Sequence, residues 1–216
     1  MKGEGEAGGR LARLLNDVAA GKYPPPDGSV TILPQPSRRD AGVIAFTAHS
    51  VVFLDLDPAW IRGQLPPGDL SGPLLPPFLQ AVCAATGRRA NSTDLLCVAT
   101  PRPGSPAIML TQAMTSDHPR IARALRHRDG VRVWETPGAV VSIGRGVADR
   151  WEVALEVEPG YRGKGLGREL AIAARHLVPE GTHLWAQIAP GNAASVRAFL
   201  AAGFRPVGAE AQLLLA

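Results

Sequence analysis

Only two cysteines, Cys83 and Cys97, occur in 216 residues, and they lack C-x-x-C spacing, so a disulfide framework is excluded. Both sit among apolar neighbours and are expected to be buried thiols in a reducing cytoplasm. Apolar runs such as residues 139–143 and 213–216 fall far short of the roughly 20 residues that span a bilayer, so no membrane segment is expected. The Gly- and Glu-rich stretch 1–10 has no apolar core of a secretory signal, which implies no export. A large excess of one charge is lacking too. The net charge is +4, from 23 basic and 19 acidic residues, enough to favour an anionic ligand but far from a polybasic tail. Arg120, Arg123, Arg126, Arg128 and Arg132 form the one basic concentration, flanked by Asp117 and Asp129, and read first as a solvated helix face and second as a phosphate-binding patch. No aromatics interleave them, so nucleic acid ranks last among partners. His49, His118, His127, His176 and His183 show no ligand spacing, and no metal is expected.

What the chain does have is a change of texture along its length. Residues 1–37 read as a disordered start, then a helix (Leu11, Leu14, Leu15, Val18) stopped by Gly21 and Pro24–Pro26, then a Pro-rich connector. Residues 38–116 hold strand-like runs at 43–46, 51–56 and 95–100. They also hold a short helix opened by Asp57-Pro58 and a second helix at 78–86 stopped by Gly87. Residues 117–216 are denser. A helix around Ile121 and Leu125 leads to strands at 131–135, 140–143 and 152–157, and then comes a Gly-rich loop. A helix follows from Leu166, then a strand at 184–188, a helix at 193–202, and closing strands near Val207 and Leu213. Strands on short turns with single helices inserted late predict a mixed α/β sheet.

Chemistry concentrates in Val157-Glu158-Pro159-Gly160-Tyr161-Arg162-Gly163-Lys164-Gly165-Leu166-Gly167, between a strand and a helix. Glycines 163, 165 and 167 let the backbone turn sharply and bring N–H groups close to a ligand. The positive end of the following helix dipole favours an anion there, and a pyrophosphate fits. A Mg-nucleotide P-loop is excluded because Lys164 is followed by Gly165 rather than Ser or Thr. A dinucleotide fingerprint is excluded because Arg168 stands where its third glycine would be.

Arg162-x-x-Gly165-x-Gly167, led in by Val157-x-Pro159, resembles the [QR]-x-x-G-x-[GA] signature of the GNAT (Gcn5-related) N-acetyltransferases. Downstream, Asn192-Ala193-Ala194-Ser195, Phe199 and Gly203-Phe204 resemble the second conserved segment of that family, at the spacing of helix, strand and helix. The resemblance covers about the last 100 residues and implies a GNAT acyl-CoA fold preceded by an extension or half-domain. It implies that the N–H groups of Arg162, Gly163, Lys164, Gly165, Leu166, Gly167 and Arg168 hold the pyrophosphate of acetyl-CoA, a cosubstrate. Backbone around Val157 would pair with the pantetheine arm as an added strand. Asn192 would touch that arm or serve as a plain N-cap, and Phe199 would lie near the thiol.

Two family assignments are missing from the pattern. Phe199 stands where many members carry a proton-donating tyrosine, and Gln187 where some carry a glutamate base. The substitute bases are on the strand before the loop, where alternation puts Glu152, Ala154 and Glu156 on one face. Burial is expected to raise the pKa of Glu156 toward the working range, with Glu152 as the second candidate. Tyr161 is expected to pack or to touch the cofactor, and His183 to be a weak acceptor-site candidate. The resulting expectation is an enzyme moving acetyl from acetyl-CoA to a primary amine of a small molecule or peptide. The alternative is a GNAT fold that binds acyl-CoA as a sensor without turnover. Residues 1–116 leave open a degenerate half-domain, a lid or a dimerisation arm, hence a homodimer.

Overall fold

A computed structural model describes residues 4–113 and 118–215; Asp117 lies outside the described residues. The chain divides into two compact units, Met1–Leu96 with Val207–Ala216, and Cys97–Pro206. Unit 2 thus starts ahead of position 117, and the last strand belongs mainly to unit 1.

Unit 1 opens with α1 (Glu4–Ala19), which already begins inside the stretch expected to be disordered. Its residues Leu11, Leu15 and Val18 are fully buried, as their spacing requires, and Gly21 ends the segment at φ 88°. Strands β1 (Val30–Leu33), β2 (Gly42–Phe46) and β3 (His49–Phe53) follow, β1 pairing parallel and β2 antiparallel to β3. β1 lies within the residues expected as Pro-rich connector. Helix α2 (Pro58–Gly63) is capped by the Asp57 carboxylate, which accepts from Ala59 N at 3.0 Å. Helix α3 (Pro76–Thr86) stops at Gly87, φ 66°. Its Phe78, Leu79 and Val82 join Val43, Val52, Leu54 and Ile61 in one apolar cluster. β4 (Arg88–Ala99) starts in unit 1 and continues past the boundary at Leu96 to Ala99.

Unit 2 contains β5 (Thr111–Ala113), α4 (Pro119–His127), β6 (Asp129–Thr136), β7 (Ala139–Arg145), β8 (Trp151–Val157), α5 (Leu166–Ala174), β9 (Leu184–Ile188) and α6 (Ala193–Ala201). β5 to β8 form an antiparallel meander, and β9 adds to β8 in parallel after the α5 crossover. Ile121 of α4 packs on Val133 and Val140. Register puts Val140 opposite Glu156 and Gly144 opposite Glu152, so α4 lies on the sheet face that carries these two glutamates. Helix α5 packs on β8, β7 and α6. The chain then returns to unit 1 as β10 (Arg205–Leu215), which pairs antiparallel with β2. It is one continuous strand where two closing strands were expected.

Among the described residues no helix is long and apolar enough to cross a membrane, and no group of three His, Cys, Asp or Glu residues could hold a metal ion.

Candidate functional site

β8 changes character half-way along. It pairs with β9 only at Trp151↔Leu184 and Glu152↔Trp185, while on its other edge it pairs with β7 throughout. Residues 152 and 153 are buried; 154–157, beyond the last β9 partner, are half-buried. Glu158 N donates to Gly138 O at 2.9 Å, which makes Ala139↔Val157 a pair whose own N–H and C=O groups point away from each other. By alternation the backbone groups of Leu155 and Val157 therefore face the open edge. An open edge with unpaired amides accepts an extended ligand as an extra strand.

The loop continues from this edge. A 3₁₀ turn over Pro159–Tyr161 leads to Gly163 and Gly165, both left-handed at φ 75° and 90°, a conformation only glycine adopts freely. Arg162 N donates to Pro159 O at 3.3 Å, and the next backbone donors with described backbone acceptors are Arg168 N and Glu169 N, both on Gly165 O. The N–H groups of residues 163–167, between these donors, have no described backbone acceptor, and such a run of free donors at a helix start suits an anion. Gly167 sits between elements: a Cβ there would stand 3.8 Å from both Val157 Cγ2 and Ala198 Cβ, so loop, β8 and α6 close on this point. Arg162 Nε donates to Val157 O at 2.8 Å, and Lys164 Nζ donates to Gly160 O at 3.1 Å. The Tyr161 ring lies where a Cβ on Gly138 would be, which explains the glycine in that turn and gives Tyr161 a packing role.

Asn192 caps α6, its Oδ1 accepting from Ser195 N at 3.1 Å, while its exposed side chain remains at the helix start. Phe199 is 5% exposed and meets Phe204 edge to face, centroids 4.9 Å apart. It is a core residue of this unit.

The two glutamates prove unlike each other. Glu152 is 2% exposed, and its carboxylate accepts from Arg128 Nε at 2.8 Å and Arg150 Nε at 2.9 Å, and from Val147 N at 3.3 Å. The turn before it is shaped to the carboxylate: a Cβ on Gly146 would strike it, and Ala148 and Asp149 adopt φ 51° and 63°. Burial alone would raise the Glu152 pKa, but Arg150 and Arg128 override it and hold the group below its ordinary value. Glu152 is thus a locked anion, and the expectation of a base there is corrected by its partners.

Glu156 lies in the half-buried end of β8 and accepts from Arg120 Nε of α4 at 2.8 Å. That hydrogen bond, outweighing partial desolvation and helped by the charges of Arg120, His118 and Arg162, lowers its pKa. The expected rise is therefore corrected to a fall.

The arginine run is largely committed. Arg120 and Arg128 hold the two glutamates, and Arg132 donates to Leu177 O at 2.8 Å between the rings of Trp134 and Trp151; Arg123 and Arg126 are exposed. His176 Nδ1 donates to Gly104 O at 3.1 Å, and burial with Arg205 nearby lowers the His183 pKa. Sequence reasoning missed the Arg162 contact to Val157 and the ion pairs of Arg120 and Arg128. Arg120 is 36 positions from its partner, and nothing in local pattern joins them.

Residues 105–204 match the family model described as Acetyltransferase (GNAT) family. No curated protein matches the chain. Among solved structures, an acetyltransferase of the GNAT family from Colwellia psychrerythraea is 13% identical, with 62% of this chain and 60% of that one covered and a TM-score of 0.39. A GCN5-related N-acetyltransferase from Kribbella flavida is 17% identical over 97% of this chain and 95% of that one, TM-score 0.42. A tandem GNAT protein from the clavulanic acid biosynthesis pathway is 17% identical over 81% and 62%, TM-score 0.42. The chain thus spans less than two thirds of the Colwellia protein's length. The family match over 105–204 takes in both the Gly-rich loop and the open edge of β8, so this part of the chain is similar to a GNAT acetyltransferase domain.

Proposed function

We propose that this domain binds acetyl-CoA along the Gly163–Arg168 loop and the open edge of β8, and transfers the acetyl group to a primary amine. The observation that carries the reading is the loss of β9 pairing after Glu152, shortly before a loop in which the N–H groups of residues 163–167 have no described backbone acceptor. The pyrophosphate takes the N–H groups of residues 163–167, and the pantetheine arm lies beside Leu155 and Val157, toward Asn192. For the arm to use Val157 O, the Arg162 guanidinium must leave it, and a phosphate is its natural next partner.

Chemistry then needs little from side chains, because a thioester is already activated and positioning supplies much of the rate. The ammonium releases one proton to water, and its nitrogen attacks the thioester carbonyl. The C–N bond forms, the C–S bond breaks, and the departing sulfur takes up the second nitrogen proton as free thiol. Glu156, ionised through Arg120, serves to attract the ammonium rather than to store its proton. The acceptor is a small molecule or a peptide amine. A reducing cytoplasm suits the two free thiols, Cys83 and Cys97.

A second reading, acyl-CoA sensing without turnover, is favoured by one observation: the packed Phe199 leaves no phenol at the position where many members protonate the thiolate. Calorimetry with CoA and thiol release across an amine panel separate the two. Binding with release supports transfer, binding without release supports sensing, and no binding contradicts both.

A further inference from the structure

Arg120 and Glu156 form an ion pair bridging α4 and the open end of β8, and both remain accessible, with side chains 40% and 34% exposed. The pair is joined through one guanidinium nitrogen, Nε, and one carboxylate oxygen, Oε2. Among the described residues neither side chain has another hydrogen-bond partner, so the Arg120 terminal nitrogens and Glu156 Oε1 are unused. The contrast with Glu152, four residues earlier on the same face, is informative. There every part of the carboxylate is taken up in the interior by Arg128, Arg150 and Val147 N.

Resting on the acetyl-transfer reading above, we infer that this half-satisfied pair is the acceptor-recognition element, and that the acceptor is an amino acid with a free α-carboxylate. An α-amino acid carries an ammonium and a carboxylate on one carbon. Glu156 Oε1 takes the ammonium, and the two terminal nitrogens of Arg120 take the carboxylate as a planar two-pronged bond. The arrangement also selects against alternatives. A polyamine or aminoglycoside sets a second cation against Arg120, and an amide or ester offers Arg120 no charge. The ammonium held at Glu156 stands beside Leu155 and Val157 on the same strand, the segment proposed to carry the thioester arm.

The test is thiol release from acetyl-CoA with matched sets of acceptors: several L-amino acids, their methyl esters, the decarboxylated amines, and a polyamine. CoA binding is measured separately by calorimetry. A kcat/KM at least about tenfold higher for the free acids supports the inference. So does collapse of that preference in Arg120→Met, with CoA affinity kept and partial rescue in Arg120→Lys. Equal turnover of acids, esters and plain amines, or a preference for the polyamine, overturns it while acetyl transfer stands. CoA binding with no turnover of any amino acid also overturns it. Failure to bind CoA removes the underlying reading, and the inference with it. The wild-type preference decides the matter even where a variant does not fold.

Discussion

Arg128, at the C-terminal end of α4, donates through Nε to Glu152 of β8 at 2.8 Å, at a place where the carboxylate is almost wholly removed from water. With Arg150 it makes a buried group in which one anion answers two cations. Removing one member of such a group leaves uncompensated charge, so Glu152→Gln should cost about 3–5 kcal/mol of stability at pH 7. Chemical denaturation measures it. A loss under about 1 kcal/mol contradicts the structural role.

The same pair sets a pH dependence. The folded pKa of Glu152 lies below its ordinary value of 4.5. Its contribution is therefore fully present above that value and is lost as pH falls through the folded pKa. The gap in melting temperature between wild type and Glu152→Gln should be widest near neutrality and narrow on acidification below pH 4.5. A gap that widens in acid contradicts this assignment.

The loop, the helix caps and the face shared by the two glutamates were legible in the sequence, and the reasons differ by element. The spacing of glycines 163, 165 and 167 between a period-two and a period-3.6 segment marks the loop, because each such turn demands special backbone. Asp57 and Asn192 identify themselves as caps by residue type. The alternation Glu152, Ala154, Glu156 gives the shared face correctly. It cannot give their opposite burial, which depends on where β9 stops pairing and on arginines far away in the chain. β1 escaped because four residues between prolines carry too little pattern, and the first half of β4 because Arg88 to Asp94 is polar.

Phe199 offers a test of packing against chemistry. Its ring is buried edge-on to Phe204, so Phe199→Tyr buries a hydroxyl in that cluster and should cost about 1–3 kcal/mol where no partner is reached. No gain in kcat should follow. A Tyr variant with wild-type stability and a rate raised about tenfold would show that the ring edge faces the leaving thiol instead.

Glu156→Gln distinguishes an ammonium-binding carboxylate from a base. Because Arg120 holds Glu156 below the ordinary carboxylate range, it stays ionised across neutral pH. The variant should raise the acceptor KM about tenfold with little change in kcat, and the neutral region of the wild-type pH profile should keep its shape. Loss of about 100-fold in kcat, together with disappearance of an acidic limb near neutrality, contradicts the positioning role and restores Glu156 as base.

The central claim is that acetyl-CoA is held by the loop ahead of α5, and Gly165 tests it most directly. Its φ of 90° suits glycine, and a Cβ built there meets nothing within 4 Å, so a new side chain would project into the open space above the loop. Gly165→Glu adds backbone strain of about 1–3 kcal/mol and places a negative charge where the pyrophosphate belongs. Calorimetric titration of CoA into wild type and into the folded variant, checked by circular dichroism, should show saturable binding in the first and none in the second. Unchanged CoA affinity in a folded Gly165→Glu protein would contradict the account.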